Sequence, residues 1–159
     1  MDVKEQVAAL QPELVRLRRH FHENPERSWK EFQTQKAIEA YLDELGIPYV
    51  ESCHSGVIAT LKGPHASDRI IGIRADIDAL PITELGEAEY KSRNPGTMHA
   101  CGHDTHITIL LGTARILAAL KDQLTVTVRF LFQPAEEEIA NLLWLNDMSS
   151  LVQGDVSLG

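Results

Sequence analysis

Apolar residues recur at helical spacing over about residues 3–22, at Val7, Leu10, Leu14, Leu17 and Phe21, and predict a first helix with a break or kink at Pro12. Ser28-Trp29-Lys30-Glu31 has the spacing of a capping box. It predicts a second helix carrying Phe32, Ala37, Ile38, Tyr41 and Leu42, stopped by Gly46 ahead of Pro48. Short β-branched runs predict strands at about 49–53, 56–62 and 69–76. Residues 79–100 read as loop, with Pro81, Gly86, Pro95 and Gly96. A third helix at about 104–120 and a strand at about 125–132, closed by Pro134, complete the pattern.

A strand, a long crossover with a helix and a second strand form the pattern of a parallel βαβ unit, whose hand is nearly always right. The expected fold class is therefore α/β. If the strands near 69–76 and 125–132 are parallel, their carboxyl ends share one edge and the helix near Asp104 starts there. Asp76 and Asp78, Cys101 through His106, and Glu136 through Glu138 converge on that edge. Ligand sites of open α/β sheets lie outside the carboxyl ends of strands.

The chain has 159 residues with no internal repeat or linker, so it reads as one unit with enough length for a real core. Fifteen Lys and Arg against 23 Asp and Glu give a formal charge of −8, which argues against a nucleic-acid or anionic-membrane partner. The most apolar stretch, Ile107 to Leu120, is interrupted by Arg115 and is short for a bilayer. The amino terminus lacks the basic-then-apolar pattern of a signal peptide, and Cys53 and Cys101 read as free thiols, so a cytoplasmic location is expected.

Three clusters can carry chemistry. In Met98-His99-Ala100-Cys101-Gly102-His103-Asp104-Thr105-His106, a thiolate and an imidazole two residues apart can reach one divalent ion, with Gly102 bending the backbone between them. The same pair also reads as a buried thiol beside a helix-capping segment. Phe132-Gln133-Pro134-Ala135-Glu136-Glu137-Glu138 follows an apolar strand. Its acids read either as favourable charges at a helix start or as a metal-binding carboxylate beside one that handles protons. In Arg74-Ala75-Asp76-Ile77-Asp78-Ala79-Leu80-Pro81, Asp76 can hold a metal-ligating imidazole in its tautomer, while Asp78 can cap the following turn. The polar segment Arg19 to Glu26 reads most simply as a helix terminus, and His54 and His65 as solvated.

Four ordered motifs, Leu17 to Glu26, Arg74 to Pro81, Met98 to Asp104 and Phe132 to Glu137, resemble one family across about residues 13–138. It is that of the metal-dependent amidohydrolases and carboxypeptidases, which includes hippurate hydrolase, bacterial aminoacylases and plant indole-acetyl-amino-acid hydrolases. The resemblance implies a zinc-peptidase-like catalytic domain, a three-layer, mixed and largely parallel sheet with flanking helices. It implies two divalent ions (zinc, manganese or cobalt), with Cys101, His103 and Glu137 matching ligands and Glu136 the general base. The implied substrates are N-acyl amino acids, cleaved at the amide bond.

The family usually continues after Glu137 with a glycine-rich turn and a helix; here the helix is expected without the glycines, and Gly154 to Gly159 again looks like the family. A run of three acids leaves Glu137 and Glu138 as an alternative pair of base and ligand. Residues 1–159 are thus expected to be the amino-terminal portion of a catalytic domain, without the inserted dimerisation domain, with at most one partial metal site and little or no turnover. An exposed sheet edge invites self-association or a homo-oligomer. The competing expectations are a non-enzymatic, self-associating fragment and a hydrolase using Cys101 as nucleophile with His103 or His106 as base.

Overall fold

The structure, a computed structural model, describes residues 2–138. The expected helix after Glu138 and the tail from Gly154 lie outside them. In chain order the elements are α1 (Val3–Glu23), α2 (Phe32–Leu45), β1 (Tyr49–Ser52), β2 (Gly56–Lys62), β3 (Ile70–Asp76), α3 (His103–Ala119) and β4 (Thr127–Gln133). The strands form one mixed sheet of order β1-β2-β4-β3. β3 and β4 run parallel, in register from Ile70 opposite Thr127 to Asp76 opposite Gln133, with α3 on the crossover between them. β2 pairs antiparallel with both β1 and β4, so among the described residues one pairing of the three is parallel. The short connection after β1 makes a hairpin, where only an antiparallel partner fits, and β4 takes β2 antiparallel on one side and β3 parallel on the other.

Strand alternation decides where the core sits. Val57, Ala59 and Leu61 of β2, Val128, Phe130 and Phe132 of β4 and Ala75 of β3 join Phe21 of α1, Ile38, Tyr41 and Leu42 of α2, and Ile107, Leu110, Leu111 and Ala114 of α3 in one buried cluster. The opposite sheet face holds a small separate cluster of Ile58 and Leu131 with Cys53 beside them. The described residues therefore make two layers of the expected three, because all three helices turn their apolar stripes to the same face. Among the described residues no helix is long and apolar enough to cross a membrane.

Two local expectations are corrected. The break expected at Pro12 does not occur: helix α1 continues through it, and the carbonyl that loses its helical donor belongs to Ala8, an exposed residue. Ser28 and Glu31 do not form a capping box: Glu31 itself stands at the N-cap position of α2 without a cap bond of its own, and the Glu26 carboxylate accepts the Gln33 and Thr34 amides of the first turn at 3.2 and 2.8 Å. The Ser28 hydroxyl donates instead to Asp78 Oδ2 at 2.7 Å, and Glu31 is drawn inward to other partners. Gly46 ends α2 in the left-handed conformation at φ 64°, as its position predicted.

Candidate metal centre at the carboxyl edge of the sheet

The carboxyl ends of β3 and β4 are tied to each other and to two loops. The Ile77 amide donates to the Gln133 carbonyl at 3.0 Å, which keeps the chain after β3 beside the chain after β4. The Ala79 amide donates to the Glu26 carbonyl at 2.8 Å, laying the segment after α1 along the same edge. Leu80 and Met98 exchange two backbone hydrogen bonds, of 3.0 and 3.1 Å, so the loop over 79–100 closes on itself and returns Cys101 to the edge where it began. Gly102, at φ 99°, then turns the chain into α3, whose first residue is His103.

Cys101, His103 and Glu137 are brought together, their ligand atoms all within 4.8 Å of one another. Cys101 is an exposed free thiol, His103 is buried and Glu137 is partly buried. Glu136 Oε2 and Glu137 Oε1 each stand 3.8 Å from His103 Nε2, too far for a hydrogen bond. Glu138 is exposed and stands outside this group. A second group, Asp76, His103 and His106, satisfies the same 4.8 Å criterion and shares His103 with the first.

The carboxylate that holds His103 is Asp78, where Asp76 was expected. His103 Nδ1 lies 2.9 Å from the Asp78 carbonyl oxygen and 3.2 Å from Asp78 Oδ1, two acceptors that require the proton on Nδ1 and leave Nε2 facing the acids. Asp78 Oδ2 also accepts from the Ser28 hydroxyl and, at 3.0 Å, from the Glu137 amide. Asp76 is occupied differently, paired with Arg74 at 2.6 Å and with His106 Nδ1 at 3.4 Å. The strand ends between the two acids, so period-two alternation no longer relates their directions.

The electrostatics follow from this crowding. Burial opposes ionisation of Asp78, but hydrogen bonds from His103, the Glu137 amide and Ser28 hold its pKa below the ordinary carboxylate value. Burial likewise opposes a charge on His103, yet the bond to Asp78 and the charges of Asp78 and Asp76 raise it above the usual histidine value. The Cys101 thiol is pushed up by desolvation and by Glu137, Glu136 and Asp76. Glu137 Oε1 is buried with no hydrogen-bond partner. An orphaned carboxylate oxygen beside an imidazole nitrogen and a thiol is a donor set that a divalent cation fits, sulfur and nitrogen with oxygen suiting zinc or a similar ion.

Around the cluster lie residues whose roles the local pattern did not disclose. His22, expected at a mere helix terminus, is buried with Nδ1 2.7 Å from Asp104 Oδ2 and Nε2 3.2 Å from Glu84 Oε1. Arg18 reaches the same Asp104 oxygen at 2.9 Å, so the residue after His103 is anchored to α1. The clue was the crowding of His and Arg at the end of α1; its partners are distant in sequence. His99 is buried with neither ring nitrogen hydrogen-bonded, and burial lowers its pKa to about 4, so the ring is neutral. His54 and His65 are exposed, as expected. Ala135, directly before the acids, has φ 51°, a left-handed conformation costing a residue with a Cβ roughly 1–2 kcal/mol.

The comparisons with known proteins agree with one another. The model of peptidase family M20/M25/M40 matches residues 72–154. N-acetylcysteine deacetylase of Bacillus subtilis is 47% identical over 131 residues, 81% of this chain and 34% of that protein. N-acyl-L-amino acid amidohydrolase of Geobacillus stearothermophilus is 42% identical over 137 residues, 86% of this chain and 37% of its own length. Among solved structures, the YXEP protein of Bacillus subtilis, described as a dinuclear metal binding peptidase from the M20 family, superposes with a TM-score of 0.85 at 42% identity, over 92% of this chain and 41% of that one. The chain thus spans little more than a third of the length of these relatives.

Proposed function

The chain belongs to peptidase family M20/M25/M40, and from that premise we propose that it is the amino-terminal part of a catalytic domain hydrolysing the amide bond of N-acyl amino acids. In this reading Cys101, His103 and Glu137 hold a divalent ion, zinc, manganese or cobalt, and Glu136 is the general base. The observation that carries it is Glu137 Oε1, buried without a hydrogen-bond partner among groups that all bind cations. A bound divalent ion would supply Lewis acidity and bring the pKa of a water towards neutrality. In this reading Glu136, whose side chain is 32% exposed, takes a proton from water and returns it to the departing amine as the C–N bond breaks. Asp78 keeps the His103 proton on Nδ1, so that Nε2 offers its lone pair.

Ligand number limits what these residues achieve alone. Among the described residues the Asp76 and His106 group cannot be filled alongside the first, since both need His103. We therefore propose at most one partial site and little turnover from this chain by itself. The Cys101 nucleophile is the weaker reading, because acidic neighbours raise its thiol whereas an activated cysteine is lowered. Among the described residues β3 is an edge strand with Ile71 exposed, which supports self-association through that edge. Cys53 and Cys101, which are not joined in a disulfide, suit a reducing, cytoplasmic setting.

Metal analysis of the purified chain beside Cys101→Ala tests the reading. One bound ion per chain is expected, lost in the variant, with N-acetyl amino acid hydrolysis near background. Equal metal in both proteins, or none in the wild type, would overturn it.

A further inference from the structure

We infer that Glu31 is a positioning residue that locks the turn presenting Glu136 and Glu137. Glu31 is fully buried at the start of α2, and both of its oxygens are engaged. Oε1 accepts the Ala135 amide at 2.9 Å across 104 residues of sequence, and Oε2 accepts the Ser55 hydroxyl at 2.6 Å. Ala135 is the residue in the left-handed conformation that aims the chain into the two acids. A residue with a Cβ stays in that region only where its surroundings over-determine it, and the bond from Glu31 supplies that restraint.

The turn is gripped on its other side as well. Asp78 takes the Glu137 amide two residues further on, so two buried carboxylates, one just before α2 and one just after β3, hold alternate amides of the same turn. Pro134 is pressed by the turn between β1 and β2: a Cβ at Gly56 would lie 2.9 Å from Pro134 Cδ and 2.7 Å from the Ser52 carbonyl oxygen. With Pro134 seated and Ala135 bonded, the backbone of Glu136 has little freedom, and the orphaned Glu137 oxygen stays next to His103. A carboxylate buried beside Asp78 is a costly way to cap a helix, since burial and that neighbouring charge both disfavour its ionised form. It is an effective way to fix an amide, because hydrogen bonds to a charged acceptor are the strong ones.

The part of this inference that concerns metal rests on the functional reading above; the part that concerns the turn does not. The test therefore has two arms on the full chain. Glu31→Met keeps the volume and removes the acceptor. Glu31→Gln restores it, its amide oxygen accepting from Ala135 while its NH₂ donates to Ser55. Ser55→Ala breaks the other half of the tie without touching Ala135. In the metal-free protein, hydrogen exchange followed by NMR should show a protected Ala135 amide in the wild type, in Glu31→Gln and in Ser55→Ala, and about tenfold or faster exchange in Glu31→Met. In the second arm, calorimetric titration with Zn²⁺ alone should give affinity about 10- to 100-fold weaker for Glu31→Met and near wild type for the other two, the usual cost of losing a group that holds a ligand in place. An unprotected Ala135 amide in the wild type overturns the inference even if Glu31→Met fails to fold. Equal Zn²⁺ affinity in wild type and Glu31→Met overturns it too. If the wild type binds no Zn²⁺, the functional reading falls, and the inference stands or falls on the exchange arm.

Discussion

The helix-covered face of the sheet and its carboxyl edge are built from opposite materials. On the face, Phe130 and Phe132 of β4 meet Leu42 of α2 and Leu111 of α3, all fully buried and held by packing alone. At the edge, Glu31, Asp78, Gln133, His103 and Asp104 are just as deeply buried, and directional bonds between segments hold them there. Apolar packing tolerates exchange of one hydrocarbon for another of like volume, whereas a buried carboxylate is stable only with its particular donors. Stability should therefore be governed by the face and cation binding by the edge, and substitutions in each region should separate the two properties.

The largest effect is expected on the face. Phe130→Ala empties a fully buried site at the centre of the sheet and should destabilise the chain by about 3–5 kcal/mol, read from denaturant unfolding. At sub-denaturing conditions the remaining folded fraction should bind Zn²⁺ normally. A variant that unfolds like wild type but loses the ion would break the proposed division. At the edge, Asp78→Asn keeps the volume of a side chain that serves His103, Ser28 and Glu137 at once. Its expected signature is the reverse: a stability loss of about 1–3 kcal/mol and Zn²⁺ affinity weaker by about 10- to 100-fold. Unchanged affinity would show that His103 is held by other means.

The same division explains what the sequence disclosed. The strands were legible because alternation within a short run reflects one buried face, and the parallel pairing of β3 with β4 because a helix stands between them. The segments Cys101 to His106 and Glu136 to Glu138 were legible as neighbours once the strand edge was located, since motifs at strand ends meet there, whereas the choice of Glu137 among the three acids came from the family resemblance. The choice between Asp76 and Asp78 was not legible, because it depends on how the chain bends after the strand. Glu31 was read as a helix cap from its spacing to Ser28. Its true partners lie 24 and 104 residues away, and a local pattern carries no trace of them. Edge residues are illegible in proportion to the sequence separation of their bonds.

A polar tie remote from the edge sharpens the comparison with the smallest effect. Tyr41 of α2 is buried where the three helices meet; its hydroxyl donates to Glu13 at 2.5 Å and accepts from Arg115 Nε at 2.6 Å. Burial, then the hydrogen bond to Glu13, raise its pKa from 10.0 to about 12. The unfolded chain thus releases this proton before the folded one does. Stability contributed by the neutral phenol is intact below pH 10 and is lost as pH rises towards and past about 12, by up to about 3 kcal/mol in the wild type. Tyr41→Phe should cost about 1 kcal/mol at neutral pH, and that deficit should shrink and then reverse across the alkaline window, followed by unfolding at each pH and by tyrosinate absorption. Its Zn²⁺ affinity at neutral pH should match wild type, because no bond of Tyr41 reaches His103 or Glu137. A parallel fall in affinity would mean that the helix-covered face and the carboxyl edge are coupled through α3, which carries Arg115 and begins with His103.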